Sequence, residues 1–287
     1  MRSIGYQLLI LGAVLLLPGA DADGCWRRRC RPMAPAPVAV APPAMATPKP
    51  SPEPWGRLKG RVVWGPEKIP ERKPIPGVAV NADKNHCLKD GPIYDETWVV
   101  NPKNRGLRWT LVWLINDDPK DETPLPIHPR LKEPAGEVVI DTPRCMFVPQ
   151  VVGLREGQTL VIKNSSPVSH GPRLSGPQNR FGVSIPATGE FKLKDLIAVR
   201  IPMILECAIH PWMTARVGVF SHPYFAVTDE NGNFDIPIAP AGKYRLIVYN
   251  NLYSKGAAGR NGEPVTIVAG GIADLGTLTF VVPEGTD

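Results

Sequence analysis

Beyond residue 55, no window of useful length keeps an apolar i, i+3, i+4, i+7 rhythm without meeting a proline. Proline offers no backbone N–H and its ring clashes with the preceding turn, so helix interiors reject it. With 34 prolines and 27 glycines in 287 residues, the chain is cut into pieces that suit short strands joined by turns. Apolar or alternating runs recur at Arg61–Trp64, Val78–Asn81, Trp98–Val100, Leu111–Ile115, Glu137–Ile140, Thr159–Lys163, Gly189–Leu193, Ile201–Cys207 and Arg216–Phe220. Between them lie turn clusters such as Asn101-Pro102-Lys103-Asn104 and Asp117-Asp118-Pro119. The expectation is an all-β protein built on a Greek-key β-sandwich, with any helix short.

The first 22 residues read as a signal peptide: Arg2 is the positive start, Leu8–Leu17 the apolar stretch and Ala20-Asp21-Ala22 the small-x-small cleavage site. The chain is therefore expected to be exported, to a periplasmic or extracellular location, with no transmembrane helix. Ala22-Asp23-Gly24 is a poor lipidation signal, so a plain secreted Cys25 is preferred to a lipid anchor there. Residues 23–54 form a Cys/Arg segment followed by a Pro/Ala-rich linker that cannot build a core. Of the net charge of +6, the segment Asp23–Arg31 carries four arginines against one aspartate. Arg27-Arg28-Arg29 is read as a solvated run or a contact for an anionic surface. The body of the chain lacks the basic stripe with stacking aromatics that nucleic acid requires.

Two folded parts are expected, 55–221 and a smaller β-sandwich-like unit, 222–287. In the second, Tyr224–Thr228 and Phe234–Ile238 flank Asp229-Glu230-Asn231-Gly232-Asn233, a hairpin signal because Asn-Gly accepts positive φ. Its Thr-Asp-x-x-Gly-x-Phe and Pro-x-Gly-Lys-Tyr-x-Leu pattern resembles the carboxypeptidase-regulatory or transthyretin-like domain. That resemblance implies a packing or binding module, with missing strands supplied by Arg57–Val80 or by the first sandwich.

One segment concentrates chemistry. Cys207-Ala208-Ile209-His210-Pro211-Trp212-Met213 sets a thiolate, an imidazole and a thioether in one tight loop, the ligand types that suit copper. Pro211 stiffens the loop. Structural zinc prefers several cysteines, and this segment has one. Asn164-Ser165-Ser166-Pro167-Val168-Ser169-His170 offers a second imidazole from elsewhere in the chain. Together these motifs resemble the cupredoxin (blue-copper) family, with an amicyanin-like copper loop. The stretch from about Gly60 to Phe220 is similar to bacterial cupredoxin-like chains labelled methylamine utilisation proteins.

The resemblance implies one type 1 copper, with His170, Cys207 and His210 as trigonal ligands and Met213 as the weak axial one. Asn164, Gly171, Pro211 and Trp212 would surround them. It also implies electron transfer with a redox protein such as a cytochrome or dehydrogenase, leaving through the solvent-side edge of His210. Two positions depart from the family. Gly171 stands where an asparagine usually follows the first histidine, and Gln150 replaces the histidine of a Cys-x-Phe-x-Pro-His motif. Those departures favour the alternative, a secreted surface or binding protein with a vestigial or copper-storage site. Cys87 and Cys145, outside the loop and in an oxidising compartment, are expected to pair. Cys25 and Cys30 close a small loop or link to another chain. No nucleophile elbow, paired carboxylates or phosphate loop is present, so no catalytic residue is assigned.

Overall fold

The structure, a computed structural model, describes residues 54–254 and 259–282. All of them fall within one compact unit, Pro50–Asp287. The signal peptide, Cys25, Cys30, Arg27, Arg28 and Arg29 lie outside the described residues. No helix among the described residues is long and apolar enough to cross a membrane.

In chain order, strand β1 (Trp55–Trp64) leads to two one-turn helices, α1 (Pro76–Ala79) and α2 (Lys84–Cys87), and then to β2 (Leu111–Asn116). A contiguous set follows: β3 (Glu137–Asp141), β4 (Val151–Arg155), β5 (Thr159–Lys163), β6 (Pro172–Ser175), β7 (Arg180–Gly182), β8 (Glu190–Leu193), β9 (Met203–Cys207) and β10 (Thr214–Phe220). The chain ends in β11 (Phe225–Val227), β12 (Asn233–Pro240), β13 (Gly242–Asn250), β14 (Leu252–Tyr253), β15 (Glu263–Ile267) and β16 (Ile272–Phe280).

These strands make two β-sandwiches, and the fold is all-β. In the first, sheet β4-β10-β9-β6-β7 faces sheet β3-β5-β8 across one core that includes Ile140, Leu154, Leu160, Leu205 and Val217. The alternating burial along β9 follows from this: Met203, Leu205 and Cys207 point inward, Ile204 and Glu206 outward. In the second, sheet β12-β1-β16 faces sheet β11-β2-β13-β14, with β15 paired to β13. Its core takes Leu58, Val62, Phe234 and Phe280 from one sheet and Leu114, Leu246 and Val265 from the other. The segment His222–Asp287 thus shares both its sheets with earlier strands, since β1 runs between β12 and β16 and β2 lies between β11 and β13.

A third apolar cluster, with Leu111, Trp113, Val151, Phe220, Ile247 and Tyr249, joins the two sandwiches. Gly153 is required there. A Cβ at that position would stand 2.6 Å from the Phe225 ring, inside contact distance, so only glycine lets Phe225 press on β4.

Three local expectations change. Val78–Asn81 does not form a strand: Pro76 occupies the first turn of α1 and the chain turns at Val80. Trp98–Val100 makes only an isolated bridge, Val100 to Leu107. The Asp229–Asn233 turn forms, with Gly232 at φ +80° and the Asp229 carboxylate accepting from the Asn231 and Asn233 N–H groups. Its flanking strands do not pair with each other, however. β11 joins β2 and β12 joins β1, because each has an apolar face that the opposite sheet covers.

Candidate metal centre

Strands β9 and β10 are antiparallel neighbours, and the loop between them contains His210, Pro211 and Trp212. It is held tightly at its base. The Cys207 N–H donates to the Met213 carbonyl at 3.2 Å and the Met213 N–H to the His210 carbonyl at 2.9 Å. Cys207 ends β9, and the closed loop turns His210 back over it. His170 arrives from the next strand of the same sheet: it stands two residues before β6, which pairs with β9, and is fixed by a two-way backbone bridge to Ile185.

Three side chains converge there. His170 Nδ1 and His210 Nδ1 each lie 3.9 Å from Cys207 Sγ, and the two Nδ1 atoms are 3.0 Å apart. All three residues are buried. Metal bonds of about 2.0 Å to nitrogen and 2.3 Å to sulfur, spread at trigonal angles, separate the nitrogens by about 3.5 Å and nitrogen from sulfur by about 3.7 Å. The observed triangle is close to that size, and its N, N, S donor set suits copper or zinc. Met213, buried in the same core as Cys207, closes the loop.

Both histidines are oriented through their far nitrogens. Asn164 is the organiser at His170. Its carbonyl oxygen accepts from Thr142 Oγ1, Ser166 N–H and Ser166 Oγ, while its amide donates to the carbonyls of Val168, Ile185 and Pro186. With the Ser166 hydroxyl proton committed to Asn164, His170 Nε2–H donates to Ser166 Oγ at 3.1 Å. His210 Nε2–H donates to Asp83 Oδ2 at 3.0 Å. Each ring therefore turns Nδ1 toward Cys207, held there through its far nitrogen.

The thiol is poised as a thiolate. Burial pushes its pKa up, but hydrogen bonds from His170, His210 and the Gly171 N–H outweigh burial and bring it from 9.0 to about 5. For His210 burial works downward, and Cys207 followed by Asp83 overcomes it, so its pKa is raised. At Gly171, where an asparagine is the family expectation, the backbone makes the hydrogen bonds. Its N–H donates to Cys207 Sγ at 3.3 Å and its carbonyl accepts from Ala208 N–H at 2.8 Å.

The expected exit at the edge of His210 is overturned. His210 is 0% exposed, because Asp83, at the N-terminus of α2, closes over its outer nitrogen. A Cys87–Cys145 disulfide, with Cα atoms 5.3 Å apart, ties α2 down. A sulfur of each of these cysteines lies within 4.8 Å of a His210 ring nitrogen. Trp212 completes the cover: its indole N–H donates to the Cys145 carbonyl at 3.0 Å, and its ring stands 5.2 Å from that of His210. Asp83 was invisible to motif reasoning. Only its place four residues before Cys87 hinted at it.

Of the remaining histidines, His86 lies near enough to feel the charges of His170 and Asp83, while burial is the main cause that lowers its pKa. His128 and His222 accept backbone N–H groups from Arg130 and Tyr224, and burial lowers the His222 pKa to about 4.

No family model matches the chain, and no curated protein matches it. Solved structures do. A copper-containing nitrite reductase from Thermus scotoductus is 18% identical with a TM-score of 0.28, over 33% of this chain and 27% of that one. A purple cupredoxin from Nitrosopumilus maritimus is 18% identical with a TM-score of 0.26, over 29% of this chain and 99% of that one. An oxidised amicyanin variant is 17% identical with a TM-score of 0.27, over 30% of this chain and 83% of that one. These overlaps are partial, and the chemistry of the centre rests on its own atoms.

Proposed function

We propose that the chain is an exported electron carrier in which His170, Cys207, His210 and Met213 would hold one type 1 copper. The observation that carries this reading is the buried N, N, S triangle around a cysteine whose pKa is near 5. Copper in such a site supplies one-electron chemistry by alternating between its +1 and +2 states. The protein's part is to keep the donors in place in both states. The Asn164 network and Asp83 do this, so little rearrangement accompanies electron transfer. Since His210 is sealed, Trp212 offers the nearest aromatic path toward the surface, and a cytochrome or dehydrogenase would dock there. Export fits the disulfide, which survives in oxidising compartments. Reconstituting metal-free protein with Cu(II) and recording its visible spectrum tests the assignment. One equivalent should give an intense blue or green band, and a colourless protein would end this reading.

The burial of His210 under Asp83 favours a second reading, a secreted binding or copper-storage protein. A coloured centre that cannot be reduced and reoxidised reversibly at an electrode would support storage over transfer.

A further inference from the structure

Beside the centre, on the far side of Trp212, lies a cavity of 150 Å³ walled by strands of both sandwiches. It has room for on the order of ten water-sized groups. Trp109, Gln150, Trp212, Arg216, Asn250 and Asn251 line it, an unusual pairing of two indoles with a cation and three amides.

Arg216 is the key residue. Its Nε is buried and has no hydrogen-bond partner, and none of the ion pairs among the described residues involves it. Nε itself has almost no accessible surface, so a ligand in the cavity would meet the outer guanidinium nitrogens instead. Tyr249 stands beside Arg216: burial raises the Tyr249 pKa, and the Arg216 charge and a hydrogen bond from Arg216 offset part of that rise. The acidic groups on the cavity wall are engaged elsewhere. Glu96 accepts from Arg72 at 2.7 Å, and Asp95 accepts from the Thr97 N–H and hydroxyl at 2.7 and 2.6 Å.

The backbone adds an independent sign. Trp109 and Asn251 both sit at positive φ, 61° and 56°. Asparagine tolerates this conformation, but for a bulky tryptophan it is strained, and such strain persists where surrounding structure holds a side chain in place. Arg108 packs over the Trp109 ring at 4.2 Å and fixes its position.

We propose that this cavity is a binding site for a small organic carboxylate with a flat apolar body, about the size of benzoate. Arg216 takes the carboxylate, Gln150 and the asparagines supply further polar contacts, and the two indoles hold the ring. Carboxylates match the planar fork of a guanidinium, which takes them through two parallel hydrogen bonds. The site needs no metal. A ligand there would press on Trp212, which touches His210.

Calorimetric titration of the metal-free, full-length protein with benzoate, and separately with benzamide of the same shape, tests the site apart from any copper chemistry. Benzoate should bind one to one and benzamide roughly ten- to a hundredfold more weakly. Arg216→Met should lower benzoate affinity by a similar factor and leave benzamide unchanged. Failure of benzoate to saturate, equal binding of the two ligands, or unchanged benzoate affinity in a folded Arg216→Met protein would overturn the proposal. Should that variant not fold, the comparison of the two ligands on the wild type decides alone. A colourless copper reconstitution would leave these outcomes untouched.

Discussion

The Cys207–Met213 loop and the Thr228–Asn233 turn are both short links between strands, yet they do opposite things. The first joins β9 and β10, which are hydrogen-bonded neighbours in one sheet, so its side chains fold back over the strand end and meet His170. The second joins β11 and β12, which lie in opposite sheets, so its flanking side chains diverge into one apolar core. The interiors follow suit. The first sandwich buries Thr142, Asn164, Ser166, His170 and His210 at one end, whereas the second buries Trp64 and Phe280 in stacked aromatic packing. A tight link within a sheet gathers chemistry. The link between sheets instead gathers structural hydrogen bonds, with Asn231 accepting from Arg61, Asn101 and Asn104.

That contrast can be broken in order of effect. Cys207→Ser should abolish the visible band of the copper-loaded protein entirely, by removing sulfur-to-metal charge transfer, and a spectrum that keeps its colour would dissolve the distinction. In the other sandwich, Phe280→Ala should cost about 4 kcal/mol in denaturant unfolding while leaving the band in place, since Phe280 is 0% exposed and remote from the loop in sheet order. Asn164→Ala should cost less, about 2 kcal/mol, because it strands several buried partners. It should also shift the band, since His170 loses the group that commits Ser166. A shifted Phe280→Ala band or an unshifted Asn164→Ala band would show that the two interiors are not separate in role.

The smallest effect is the pH dependence of metal-free stability. Cys207 has a pKa of about 5 when folded, below its ordinary 9.0. Its contribution is therefore fully present above about pH 9 and shrinks as pH falls toward 5. His210 runs the other way, its raised pKa giving a contribution present below about 6.5 that is lost as pH rises through the folded value. Comparing wild type with Cys207→Ser across this range should show a stability gap that widens with pH. A constant gap would place the thiol in its protonated form.

Much of the centre was legible because its residues sit in short motifs. The spacing from Cys207 to Met213 encodes a loop, and the pairing of β6 with β9 brings His170 to it. The Cys87–Cys145 bridge was likewise readable from compartment and count. What stayed hidden depends on distant packing. Asp83 is 127 positions from His210 and belongs to no motif with it. The placement of β1 and β2 in the second sandwich reflects which apolar faces find cover, and alternation within a strand does not name its neighbour. Val78–Asn81 misled because an apolar run was weighed above Pro76, which favours the start of a helix.

The strand order also has a consequence in time. β3 to β10 are contiguous in the chain and complete the first sandwich among themselves, nested between β2 and β11 of the second. The second closes only when β16, near the end of the chain, lies parallel to β1 near its start. Contacts that distant are slow to form. A ribosome delivering this chain releases everything the inner sandwich needs some fifty residues before it releases β16. Newly made protein can therefore fold its Cys207 loop while its outer sheet still lacks an edge, and truncation after Phe220 should spare the inner strands while leaving the outer ones unpaired.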